Sequence, residues 1–369
     1  MAILFFNARE LWGRSWDELL LGGANVSSLG ALSSYSHNEA WALAHNPAWQ
    51  LEKTQLSFSS AYQYSTESSA RHSRHVNVSW SGKWKNFSLA SLAYFPVGEI
   101  SHIESASATE KQSFWSHRSQ TPQMLFATNY QITKSHSVGL SVPLYFEASS
   151  NARFDFSDEG TNSKVESSFR PLLSWGFGWS SRWKAVRTSL AYWHRVQAKL
   201  NMNIEGELPL SAFSDDPFQI MASGELSYFF SPSQLNLNIE SRLSKKFTMA
   251  LLLQRTWWQA MPSPYLKLSY FLPKLKSQTH DFKSRNTFDF ALATKYKLKS
   301  YLDLIFAYRF RRSPFSALPN NYFDSNQSIV GLGALFSIQK FVLGWHQRIN
   351  FLSSGQKHYY FSFNVKWTP

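Results

Sequence analysis

From Thr54 to Trp367 apolar and polar side chains alternate with a period of two, the pattern of strands that have two unlike faces. Lys184–Asn201 carries it best. Val186, Thr188, Leu190, Tyr192, His194, Val196, Ala198 and Leu200 fall on one side, and Arg187, Ser189, Ala191, Trp193, Arg195, Gln197 and Lys199 on the other. Tyr301–Arg311 repeats the pattern, with Leu304, Phe306, Tyr308 and Phe310 opposite Asp303, Ala307, Arg309 and Arg311. Phe341–Phe351 sets Phe341, Leu343, Trp345 and Ile349 against Gly344, His346, Arg348 and Asn350. The same alternation predicts strands over residues 54–64, 75–81, 85–95, 123–132, 137–147, 168–181, 219–229, 234–242, 247–257, 287–297, 328–338 and 358–367, with 265–271 a weaker extra one.

At ~3.3 Å per residue, runs this long exceed the roughly 5–6 residues of a soluble strand and cross a membrane even when tilted. The connections segregate by length. Tight turns are predicted at Thr133–Ser135, Ser181–Trp183, Ser231–Ser233, Leu298–Ser300 and Gln339–Lys340. Long polar stretches occupy 96–121, 148–167, 202–218 and 312–327. Short turns at one end and long loops at the other describe an all-β, antiparallel transmembrane β-barrel. A soluble β-sandwich also alternates, but with shorter strands and no such segregation. Counted literally, the pattern yields fifteen or sixteen strands, and a single-chain bacterial barrel takes an even number.

Met1–Gln50 does not alternate. It carries Gly22-Gly23-Ala24 and, after a helix-like stretch, Asn46-Pro47-Ala48. Small residues admit close backbone approach, and Asn-Pro marks a turn. The expected organisation is a plug within the lumen over residues 1–50 and a barrel over 51–369; a periplasmic tail is the alternative for the first segment.

Composition agrees with a two-faced wall. Hydrophobic residues make up 43% of the chain but only 17% are charged, below the roughly 25% of soluble domains, so Ser, Asn, Gln and Thr supply the polarity. Cysteine is absent, which excludes disulfides and thiolate chemistry. The net charge of +13 is spread singly or in twos and threes, without the basic footprint of a nucleic-acid binder. Anionic lipid head groups or an anionic ligand use it better. No run reaches the ~18 apolar residues of a membrane helix. Met1–Glu10 lacks the basic and apolar regions of a signal peptide.

The last strand places Tyr359, Phe361, Phe363, Val365 and Trp367 on one face, which resembles the terminal strand recognised by the barrel-assembly machinery. The order Gly22-Gly23-Ala24, then Asn46-Pro47-Ala48, then a barrel resembles the FadL/TodX family of outer-membrane transporters for hydrophobic compounds. Phe169–Gly178, Ala222–Pro232 and Tyr308–Pro314 through Leu332–Ala334 are similar to later strands and hairpins of that family, so the likeness runs from about Leu21 to Trp367. Trp49 stands where the family's Asn-Pro-Ala-Gly element has glycine. The resemblance implies a bacterial outer-membrane barrel of about fourteen strands with an N-terminal hatch. It implies uptake of long-chain fatty acids or aromatic hydrocarbons, with sideways release at a gap beside a kinked third strand. Lys85–Phe95, however, holds no Gly or Pro to make a kink. The alternative role on the same fold is a protein-binding or secretion accessory, as in PorV-like barrels.

Catalysis finds no support: no His-Glu-x-x-His, Gly-x-Ser-x-Gly or phosphate loop occurs. Neither a metal nor a cofactor is expected. Alternation turns Arg187, Arg195, Lys199, Lys295, Arg309 and Arg348 inward, with Glu225, Glu240, Asp289 and Asp303 as partners. A carboxylate with an apolar tail wants one Arg for its head and an aromatic beside its chain. Arg187, Trp193, Arg195, Lys199 and Arg309 are therefore the candidate ligand contacts, a structural charge network being the competing role. Expected partners are a hydrophobic small molecule, outer-membrane lipid and lipopolysaccharide, and the assembly machinery; a monomer is expected.

Overall fold

The computed structural model describes residues 43, 45–49, 54–65, 73–97, 123–157, 160–208, 218–261, 267–270, 284–314, 326–353, 355 and 357–369. Five strands open the barrel as an up-and-down meander: β1 (Gln55–Ser65), β2 (Ser73–Trp84), β3 (Phe87–Val97), β4 (Gln123–Gln131) and β5 (His136–Ser157). The next four staves are interrupted. β6 (Gly160–Leu173) resumes as β7 (Gly176–Trp183), β8 (Val186–Trp193) as β9 (Val196–Leu208), β10 (Phe218–Ser231) as β11 (Ser233–Arg242), and β12 (Phe247–Trp257) is followed by β13 (Lys267–Tyr270). β14 (Thr287–Lys299), β15 (Leu302–Arg311), β16 (Gln327–Ile338), β17 (Phe341–Leu352) and β18 (Lys357–Trp367) are whole. β1 pairs with β18 from Leu56↔Trp367 to Ser65↔His358, which shuts the sheet on itself. Taking each interrupted pair as one stave, the closed barrel has fourteen strands.

Closure leaves no open edge at the seam and satisfies the backbone within the wall, as a membrane requires. The side chains complete the case. Along β14 the outward residues Phe288 and Phe290 are exposed, while Thr287, Asp289, Ala291 and Ala293 are buried. Along β18 Phe361 and Phe363 face out and Ser362 and Asn364 in. An apolar band this continuous on the outside, with Ser, Asn and Gln inside, is a lipid-facing wall and not a soluble surface. Aromatic rings ring both ends of it, Trp84, Trp183, Tyr301 and Phe341 by the short turns and Trp175, Tyr192 and Trp257 at the other end. The short turns at Lys85 and Lys184 hold left-handed backbone, φ 52° and 49°, as two-residue hairpins of matching twist demand.

Several expectations are corrected by this wall. The predicted strand 184–201 is broken at His194–Arg195, and 168–181 at Ser174–Trp175. Ser231–Ser233 is not a turn: Pro232, which has no N–H to donate, interrupts a continuing stave. Residues 148–167, expected as a loop, are mostly the long β5–β6 hairpin, paired from Leu144↔Leu173 to Ser157↔Gly160. Above the break β5 also lies parallel to β9, from Ala148↔Leu200 to Asp155↔Glu207. β3 is laddered to β2 along its whole length and to β4 from Phe87 to Tyr94, so it forms no kinked gap.

Candidate functional site

The described part of the N-terminal segment, Leu43 and His45–Trp49, lies on the inner face of the wall made by β3, β4, β5, β7 and β8. Asn46 organises it. Its side-chain oxygen accepts from Ala48 N–H at 2.9 Å, its carbonyl accepts from Trp49 N–H at 3.0 Å, and its amide donates to the Trp179 carbonyl at 3.4 Å. An Asn side chain that bonds the backbone two residues on is what makes Asn-Pro a turn. The wall answers with polar groups at inward positions. Ser137 Oγ donates to the Ala48 carbonyl at 2.6 Å, Asn129 Nδ2 to the Pro47 carbonyl at 3.4 Å, and Ser141 Oγ to the Leu43 carbonyl at 3.4 Å.

Two glycines make room for this contact. Gly139 of β5 and Gly178 of β7 are cross-strand partners. A Cβ on Gly139 would sit 2.0 Å from the Pro47 carbonyl oxygen, and one on Gly178 would sit 2.1 Å from the Asn46 side-chain oxygen. The docked turn therefore comes so close to the wall that a side chain fits at neither place. Glycine inside a strand was the sequence signal for this cradle, and the reading by alternation passed over it.

Trp49, only 1% exposed, packs with Leu43, Ala90 and Ala127 toward the short-turn end of the lumen. Arg187 holds its guanidinium 4.3 Å from the centre of that ring. Trp193 is fully buried, donates from Nε1 to the His45 carbonyl at 3.3 Å, and lies over Gly176, where a Cβ would come within 2.3 Å of the indole. A cavity of about 10 Å³, lined by His45, Asn46, Ser189, Ala191, Asn236, Asn238 and Leu252, adjoins the segment. That is roughly room for one water. The contact is closed.

A second inner-wall cluster lies on β12, β14 and β15. Arg309 donates to Gln254 Oε1 at 2.7 Å and pairs with Asp289 at 3.3 Å, and Arg311 reaches the same carboxylate at 3.5 Å. All three ionic side chains are buried. Lys295 and Asp303 make a half-buried pair at 3.8 Å nearer the short turns.

The candidate contacts thus part company. Arg187 and Trp193 meet at the docked segment, and Arg309 belongs to the ion cluster on another wall. Arg195 is exposed at the strand break, where its N–H donates to Ser233 Oγ at 3.0 Å. It does not share the buried surroundings of Trp193, because the break at His194–Arg195 interrupts the alternation that put them on one face. Ser174 Oγ caps the same break on the His194 carbonyl at 2.9 Å, and Trp175 stacks on the His194 ring at 5.2 Å. Asn46, Pro47 and Ala48 are in the cradle; Gly22, Gly23, Ala24 and the Lys199 side chain lie outside the described residues.

No protein-family model matches the sequence, and no curated protein does. Solved structures do. The CymD monoaromatic hydrocarbon channel superposes with a TM-score of 0.61 at 12% identity, covering 98% of this chain and 99% of its own. A Pseudomonas aeruginosa FadL homologue gives 0.58 at 13%, covering 100% and 99%. The Ralstonia pickettii toluene transporter TbuX gives 0.56 at 10%, covering 88% and 92%. The chain has the FadL fold. At these identities the likeness lies in the backbone.

Proposed function

We propose that this protein passes hydrophobic small molecules across a bacterial outer membrane through a barrel closed by its N-terminal segment. The docking of Asn46–Trp49 into the Gly139–Gly178 cradle carries the reading, because a wall shaped to hold a plug is a wall built around a controlled passage. The apolar outer band supports the membrane setting. The solved channels of the same fold, named for monoaromatic hydrocarbons and toluene, support an apolar cargo. Residues 1–50 are the hatch in this reading. Arg187 and Trp193 hold it when closed, and would be the first lumenal groups a cargo meets once it leaves. A carboxylate-headed fatty acid would find Arg187 released from Trp49; a neutral aromatic would need only the rings.

Uptake of labelled toluene and labelled oleate by cells with and without the protein tests the proposal. Faster entry of either supports passage, and the ratio of the two assigns the cargo class. No change for both, with a stoichiometric protein co-purifying from the membrane, would assign the accessory role instead.

A further inference from the structure

The short-turn end of this barrel is basic. Each of the six described short turns presents an exposed lysine: Lys85, Lys134, Lys184, Lys246, Lys299 and Lys340. Further exposed cations flank them, among them Lys83, Arg182 and Arg242, and no Asp or Glu occurs in any of these turns. Much of the net +13 therefore gathers on one rim.

The cations alternate with exposed rings. Lys83 and Lys85 flank Trp84, Arg182 and Lys184 flank Trp183, Lys299 precedes Tyr301 with its ammonium 5.9 Å from that ring, and Lys340 precedes Phe341. Trp84 and Trp183 are among the most exposed apolar side chains of the chain, at 74% and 71%. An amphipathic ring beside a cation, at the edge of an apolar band, sits where acyl chain meets head group. The distribution selects the occupant. A docked protein would need its charges on one side, whereas these recur at every turn around the circumference, as a shell of lipid does.

We infer that the short-turn rim is a binding annulus for anionic phospholipid, each turn taking a head-group phosphate on its lysine, with an exposed ring beside it at Trp84, Trp183, Tyr301 and Phe341. This rests on the membrane-barrel reading given under the proposed function. It adds that the leaflet facing the short turns is enriched in phosphatidylglycerol-type lipid around this protein. A lysine near a charged surface favours the anionic lipid about five-fold at its own site.

The test is tryptophan quenching of the full chain, folded in mixed vesicles, by brominated phosphatidylglycerol and by brominated phosphatidylcholine. The wild type should prefer the anionic lipid several-fold at low salt and lose the preference at high salt. The six-lysine variant K85Q/K134Q/K184Q/K246Q/K299Q/K340Q should lose it at any salt, and the matching Lys→Arg variant should keep it. Glutamine fits the left-handed turn positions, since Gln339 itself adopts φ 52°. Equal quenching by both lipids in the wild type overturns the inference. So does an undiminished preference in the folded glutamine variant, or an acidic protein that co-purifies and is released by that variant without any lipid preference. If the variant does not fold, the wild-type salt comparison decides alone. Failure of the wild type to insert into vesicles at all would instead remove the membrane-barrel reading.

Discussion

Arg187 lies face-on to Trp49, its guanidinium 4.3 Å from the ring centre, so one wall residue grips the end of the docked segment. A partly desolvated cation–π contact contributes about 0.5–2 kcal/mol. Arg187→Ala should therefore raise the undocked fraction by roughly two- to thirty-fold on that scale. Trp49→Ala removes a buried indole, about 3–5 kcal/mol of packing, and should do more. Single-channel conductance in planar bilayers reads both, and the expected order is Trp49→Ala above Arg187→Ala above wild type. Three equal conductances would mean that this contact does not close the pore.

The cradle allows a sharper test. Gly139→Ala places a methyl against the Pro47 carbonyl, where the contact is backbone and cannot swing aside. The hatch should leave its seat while the barrel still folds, raising conductance at unchanged β-sheet circular dichroism. Gly82→Ala is the control. Its nearest neighbour is the exposed Trp80 ring, which can turn away, so conductance should not change.

Alternation alone was enough to read the barrel, its two faces and its short-turn end, because a membrane wall repeats one rule along every stave. The Asn46-Pro47-Ala48 turn was also legible. The cradle was not, since Gly139 and Gly178 meet only through a pairing between β5 and β7 that periodicity does not specify. Arg195 shows the complementary failure. Its register follows from counting by twos through His194, and the chain breaks there, beside Ser174 and Pro232 on neighbouring staves. Arg309 was correctly turned inward, but which carboxylate it would meet depended on the β14–β15 register that sets it beside Ala291, two residues from Asp289.

That buried cluster carries the stability prediction. Asp289 serves both Arg309 and Arg311, so Asp289→Ala takes a buried counter-charge from two guanidinium groups, whereas Arg309→Ala leaves the carboxylate with Arg311. Breaking a buried pair costs about 3–5 kcal/mol. Guanidinium unfolding in vesicles should rank wild type above Arg309→Ala above Asp289→Ala. Arg309→Ala should leave the toluene-to-oleate uptake ratio unaltered. A selective loss of oleate would make Arg309 a ligand contact and not a wall brace.

Outside the lumen the expectation is simpler. A closed barrel in detergent stays compact until boiled, so unboiled protein should migrate apart from boiled protein on a gel while remaining β-rich by circular dichroism. A single band at one position, soluble without detergent, would contradict a membrane wall.

The seam between β1 and β18 has a consequence for how the molecule comes into being. Leu56 and Trp367 pair directly although they stand at opposite ends of the strand order. Every intervening stave must be present before they can meet, and contacts so remote in sequence form late because the whole loop between them has to be ordered first. The docked segment immediately precedes β1. Its seat is built from β3, β4, β5, β7 and β8, none of which needs the seam to be closed. The plug can thus be seated in a half-formed trough, and zipping the last strand to the first then seals it in, so the barrel need never pass through an open-bored state on its way to the native one.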